Sequence, residues 1–257
     1  MTIYMQNATR PLKEAPMSEA ERKARVELAA AYRIFDMLGW SLLIFNHITL
    51  RVAGPEPRFL INPFGLHYSE ITASSLLLVD LEGNVLRESR WPMNRAGFVI
   101  HSALHESQPE AHCIMHTHTT TGMAVACLKD GLSPHNFYGA MLQGQVAYHD
   151  FEGITVEPGE KERLVRDIGD KRAVILRNHG LLAWGPSVSQ AFLTLWTLQQ
   201  ACDVQIAAAS AGAIHPVTPQ AIAISVRESG QGEKRTCDDV FAALRRKLDS
   251  IDPSYKE

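Results

Sequence analysis

The chain has 257 residues, 46% of them hydrophobic and 21% charged, and a formal net charge of −3. That length fits one large α/β domain or two small ones around a substantial core, and the slight acidity gives nucleic acid or an anionic membrane no bulk electrostatic reason to bind. No apolar run approaches the roughly 20 residues of a membrane span, and Cys113, Cys127, Cys202 and Cys237 include no Cys-x-x-Cys pair, so reduced thiols of a cytoplasmic protein are expected.

Residues 1–17 carry no periodic pattern. Pro11 and Pro16 oppose a helix there, and the segment has no apolar stretch of the secretory type, so a flexible arm is expected. Ser18 then opens a helix that Gly39 ends, with Val26, Ala29, Ala30, Ile34 and Met37 at helical spacing. Residues 42–52 and 58–62 predict two strands joined by the turn Gly54-Pro55-Glu56-Pro57. Residues 76–80 and 84–86 predict a further pair of strands. Asn94 caps a helix reaching Glu106, which puts His101 and His105 one helical repeat apart on one face.

After Gln108-Pro109 the apolar run Ala111 to Met115 leads into His116-Thr117-His118. In an extended strand these two imidazoles share a face and can close on one divalent ion. A third ligand is expected from His179 in Asn178-His179-Gly180, which also follows a strand-like run, Ala173 to Leu176. Three imidazoles with one position left for a ligand describe a catalytic metal centre, for Zn²⁺ first and for Fe²⁺ or Mn²⁺ as alternatives. Against this stands the ordinary fate of a histidine, a hydrogen-bonded core residue, in a chain holding 11 of them. Helices are predicted over 119–128, 158–169, from Ser187 or Ser189 through Ala209, over 220–226 and over 237–248, with strands over 143–148 and 181–185.

The His-x-His strand and the distant Asn-His-Gly turn make the sequence resemble the class II aldolase/adducin family, over roughly residues 20 to 230. The resemblance implies an α/β/α layered single domain with a mixed, largely antiparallel sheet, here over 18–230 with a C-terminal helix and tail over 231–257. It also implies a metal at His116, His118 and His179, and a homo-oligomer, a tetramer in aldolase-like members. Aldolase members carry a Glu as acid/base four residues before the helix His. That position here is Gly97, and the Asn-Arg-Ala-Gly-Phe helix start looks like the adducin branch.

In sugar-phosphate members, small loops near Asn46 and Gly65 hold the phosphate. Here Phe45 and Phe64 replace small residues, which speaks against a phosphate nest. Asn46, Gly65 and Arg95 are the expected substrate contacts, Arg95 through a carboxylate. With no Glu, His101 is the first expectation for proton transfer, followed by Tyr138 and Tyr68. His135 and His149 are loop histidines that could face the substrate.

The leading functional expectation is a metal-dependent lyase of aldolase or decarboxylase type. It would act on a small hydroxy-carbonyl or keto-acid, the metal stabilising the enolate left by carbon–carbon cleavage. The alternatives are a non-catalytic adducin-head-like metal, ligand or assembly protein, and an iron-dependent oxygenase, dehydratase or epimerase at the same site.

Overall fold

The computed structural model of the chain describes residues 17–153, 159–229 and 234–257, without the side chains of residues 95 and 96. The expected N-terminal arm and the Arg95 side chain therefore lie outside the described residues.

Helix α1 (Glu19–Met37) starts where the Ser18 hydroxyl accepts the Glu21 N–H at 3.1 Å. Glu21 does not complete a capping box. Its carboxylate is buried beneath the helix, where it receives Arg25 at 2.9 Å and Arg87 at 2.9 Å. Arg25 also donates to the Ala73 and Leu76 carbonyls, so the buried charges are paired and hydrogen-bonded, as burial demands.

Strands β1 (Ile48–Val52) and β2 (Arg58–Ile61) form the expected hairpin. Residues 42–45 are not part of it. Leu43 takes a left-handed φ of 51°, which breaks the extended run and leaves Leu43 and Phe45 69% and 42% exposed. Strand β3 (Leu77–Val79) pairs with β2, but its expected partner at 84–86 shrinks to a single bridge, Val79 to Val85. Gly83 sits at φ +79° between them, close to Met93 and Phe98.

The chain continues through α2 (Arg95–Ser107), β4 (Cys113–Thr117), α3 (Thr120–Cys127), α4 (Phe137–Met141), β5 (Val146–His149) and α5 (Glu160–Ile168). It ends with β6 (Ala173–Leu176), β7 (Gly180–Gly185), α6 (Val188–Ala211), α7 (Pro219–Ser229) and α8 (Lys234–Ile251). Among the described residues the strands form one sheet in the order β3-β2-β1-β4-β7-β6-β5, with β5–β6 the one parallel pair.

Both faces of that sheet are covered, so its strands read as continuous apolar runs. Alternate residues choose the layer. Ile48, Leu50, Cys113, Met115, Leu181 and Ala183 join the core under α1, α6 and α8. Ile114, Val174, Leu182 and Trp184 pack with Ala103 and Leu104 of α2 and Leu164 and Ile168 of α5. Fully burying one such Ile or Leu contributes about 1.5–3 kcal/mol, so a one-residue register slip, which would exchange the two faces, is strongly disfavoured. The result is the expected α/β/α layered domain with a mixed, largely antiparallel sheet.

The same parity puts Thr49 and His116 on the α2 face. Tyr32 of α1 secures the start of β1: its hydroxyl accepts the Ile48 N–H at 2.8 Å and the Asn62 N–H at 3.1 Å. His47, one residue earlier, is thereby held at the rim of the sheet.

Candidate metal centre

Strand β4 delivers His116 and His118 to one end of the sheet, and the β6–β7 turn brings His179 against them. The turn is tight, with the His179 N–H bonded to Leu176 O at 3.0 Å and Asn178 left-handed at φ 57°, a conformation Asn tolerates better than most residues. The ring centres lie 4.5 Å (His116–His118), 4.9 Å (His116–His179) and 4.8 Å (His118–His179) apart. One nitrogen from each ring falls within 4.8 Å of the others. Around a tetrahedral ion, metal–nitrogen bonds of about 2.1 Å set ligand nitrogens roughly 3.4 Å apart, so side-chain adjustments of about 1–1.5 Å suffice to enclose an ion.

The donor chemistry fits a metal ion. His116 donates Nδ1–H to the Leu181 carbonyl at 2.8 Å, so its Nε2 carries the lone pair and accepts from Nε2–H of His118 at 2.7 Å, a bond that an incoming ion would replace. Backbone orientation of a ligating imidazole in this way is a usual companion of metal sites. Burial, with the neighbouring imidazoles adding to it, holds His116 well below the ordinary histidine range. Burial and His179 push His118 down to about 4, and burial and His149 lower His179. All three are therefore in the neutral, ligating form at pH 7. Thr119 follows directly and caps α3, and its hydroxyl donates to Gln199 of α6 at 2.6 Å, which anchors the end of the His-x-His segment.

Behind the three ligands lies a histidine set between β1 and α2. His105 donates Nδ1–H to the Ala111 carbonyl at 2.7 Å, so its Nε2 accepts from the Thr49 hydroxyl at 2.8 Å. Having spent its one proton, Thr49 must accept Nδ1–H of His101 at 2.7 Å. The tautomer of His101 follows from this network: Nδ1 carries the proton and Nε2 is a buried lone pair. His101 is fully buried, and its ring centre is 4.1 Å from that of His47. His47 in turn is 5.5 Å from His116, and burial, with His118 and His179 adding to it, pushes its pKa down to about 3.

Burial likewise pushes His105 down to about 3 from 6.5. Between those values the unfolded chain binds a proton that the folded chain refuses, so stability falls as pH drops through that window. The slope is about 1.4 kcal/mol per pH unit for this one residue. Urea unfolding of metal-free protein at pH 7 and at pH 5 should differ by about 2 kcal/mol on account of His105. His47 and the three candidate ligands add to the slope in the same direction, so His105→Gln should shrink the pH 7-to-5 difference by about 2 kcal/mol, and an unchanged difference would refute the assignment.

The other expected site residues fall in several places. Asn46 is buried beside His47, donating to Trp40 O at 3.3 Å with its Oδ1 lacking a partner among the described residues. Gly65 turns at φ +112°, and a side chain there would meet Trp91 at 3.2 Å. Tyr138 lies on α4 with its ring against Phe137 and Trp196. Tyr68 is buried against Tyr32, 4.7 Å away. His135 is exposed and accepts the Val217 N–H at 3.3 Å. His149 is not a loop residue but the buried end of β5, paired with Leu176 and bonded to Asp167 at 2.8 Å, and Phe151 in the loop that follows puts its ring 6.0 Å from His179. His47 was not singled out by spacing or composition. The one cue in the sequence was its place next to Asn46.

The chain is thus an α/β/α domain with three imidazoles converging at one end of its sheet, a group that could hold a metal ion. The chain belongs to the class II aldolase and adducin N-terminal domain family, which it matches over residues 26–206. It is 43% identical over 94% of its length, and 95% of the relative's, to a Caulobacter vibrioides protein provisionally named as an aldolase class 2 protein. It is 46% identical to alpha-adducin of Rattus norvegicus over 76% of its own length but spans 27% of that protein. Among solved structures, an aldolase II superfamily protein from Pseudomonas syringae superposes with a TM-score of 0.91 at 41% identity, covering 94% of this chain and 98% of that one. An L-fuculose 1-phosphate aldolase from Glaciozyma antarctica gives 0.80 at 29% identity, covering 96% and 97%.

Proposed function

We propose that this chain is a divalent-metal-dependent lyase cleaving a carbon–carbon bond in a small hydroxy-carbonyl or keto-acid compound. The observation that carries the reading is the meeting of His116, His118 and His179, all neutral and with the lone pair of His116 Nε2 aimed by Leu181. A Zn²⁺ ion held there would supply Lewis acidity, drawing charge from a carbonyl oxygen as the bond breaks; Fe²⁺ or Mn²⁺ would suit the same ligands.

The protein's own part is to hold the three imidazoles in place, keep water from one side of the site through the buried β1–α2 histidines, and receive the ligand beside Asn46 and His47. His101 is fully buried and tied to Thr49, so its contribution passes through the neighbouring His47. Phe45 and Phe64, ring centres 6.3 Å apart, stand at the turns where the resemblance puts phosphate-holding loops. Their bulk supports an unphosphorylated substrate. The reading extends to a cytoplasmic homotetramer.

Gly97 favours a second reading, an adducin-head-like protein that binds metal and ligand without turnover, because no carboxylate stands at the family's acid/base position. The two are separated by elemental analysis of purified protein followed by a screen of carbonyl compounds for solvent-deuterium exchange at the carbon next to the carbonyl. Bound metal with exchange supports the lyase. Stoichiometric metal without exchange in any compound rejects it in favour of the binding protein.

A further inference from the structure

His47 stands where three independent features converge. It is 5% exposed, and its Nε2 has no hydrogen-bond partner among the described residues. Continuing the Ile48–Met115 pairing by one residue sets it across from His116 on the same face of the sheet, and the 5.5 Å ring separation agrees with that placement. A Cβ built on Gly97 would lie 2.6 Å from both Cε1 and Nδ1 of the His47 ring. Real Cβ atoms do not come so close, so the imidazole already fills the space into which any side chain at position 97 would project. Position 97 has a helical backbone without a positive φ, so its glycine answers to this contact rather than to chain geometry.

A buried imidazole nitrogen without a partner is costly, and it is not a packing requirement, since an aliphatic side chain of similar volume would fill the same space without that cost. We propose that His47 is a ligand-positioning residue of the metal centre, its Nε2 bonding an oxygen next to the one held by the metal, and that Gly97 is glycine to make room for it. The ligand class this suits carries two adjacent oxygens, as a hydroxy-carbonyl does. The inference rests on the metal reading above and adds the residue that selects for the second oxygen. The chain Ala111–His105–Thr49–His101 then serves as its backing, fixing the ring against which His47 rests.

The test uses full-length protein loaded with Co²⁺, whose visible spectrum reports the ligands around the ion, and acetohydroxamate, a small chelator with two adjacent oxygens, as the probe. His47→Leu keeps the volume and removes the polar atom, whereas His47→Gln restores an amide near the Nε2 position. Both variants should bind one Co²⁺ as the parent does. His47→Leu should bind the probe about tenfold more weakly, the effect expected of one lost hydrogen bond, and His47→Gln should recover part of that loss. Gly97→Ala should weaken the probe to a similar degree, although it removes no polar atom, because it evicts the ring.

A purely structural His47 would make Leu at least as good as Gln. Equal probe binding by the parent and His47→Leu, or a silent Gly97→Ala in a protein that melts normally, overturns the inference while leaving the metal reading intact. Failure of the parent to bind Co²⁺ overturns both. Failure of the parent to bind the probe while holding Co²⁺ overturns this inference alone.

Discussion

Gly180→Ala should strip the protein of its metal although it touches no ligand atom. The added Cβ would lie 2.4 Å from the carbonyl oxygen of Thr117, 2.9 Å from Cδ2 of His118 and 3.4 Å from Cε1 of His116. The Thr117 oxygen cannot swing aside, because Thr117 is paired with Leu181 in the β4–β7 ladder. The start of β7 must move instead, carrying His179 away from the other two rings and disturbing the Leu181 carbonyl that orients His116. Overpacking of this kind costs about 1–3 kcal/mol of stability, and losing second-sphere support typically costs about 10–100-fold in metal affinity. Competition for Zn²⁺ against a chromophoric chelator, paired with a thermal melt, reads both effects. Parental affinity together with an unshifted melt would sink the argument that the turn needs its glycine for close approach.

His116→Ala should remove bound metal altogether. Structural zinc sites with four ligands carry about 10–16 kcal/mol of apparent binding free energy, or roughly 3 kcal/mol per ligand, so losing one of three protein ligands should weaken binding by about a hundredfold or more. His116 is the most exposed to this logic, because among the described residues it is the one of the three whose second nitrogen is committed to a backbone carbonyl. Elemental analysis after passage over a desalting column should find background metal in the variant and near one ion per chain in the parent. Undiminished stoichiometry would remove the metal reading, and with it the proposed lyase. The buried position would also leave a cavity beside His47 and His101, so a lowered melting temperature is expected in parallel. That second effect should persist in metal-free protein, which separates packing from ligation.

These two variants probe parts of the site that differ in how visible they were in the sequence. His116-Thr117-His118 could be placed on one face because a strand repeats every two residues, a local rule that needs no partner. His179 could be added because a strand-like run, an Asn that tolerates the left-handed conformation and a Gly mark a turn with few alternatives. Their meeting was an inference across 60 residues of chain, supported by a resemblance. The Leu42 to Phe45 run shows the opposite case: its composition reads as strand, but Leu43 turns left-handed and Phe45 faces outward. At 84–86 the expected strand is reduced to one bridge, since pairing depends on what a neighbour offers.

By itself, then, the sequence determined most of the strands and helices and singled out the three imidazoles that could hold a metal ion, while the layered arrangement was implied by the resemblance. The elements and the imidazoles depend on short-range periodicity or on turn chemistry that a few consecutive residues carry. The tertiary structure alone decided the surroundings of those imidazoles: His101 tied to Thr49 behind the site, Tyr138 against Trp196, and His47 in the space that Gly97 leaves open. Packing the β1 region against α2 creates the first and last of these contacts, between residues about 50 positions apart, and packing α4 against α6 creates the other. No local pattern encodes the fit of a ring into the space beside a glycine, because that fit is a property of two surfaces brought together by the sheet.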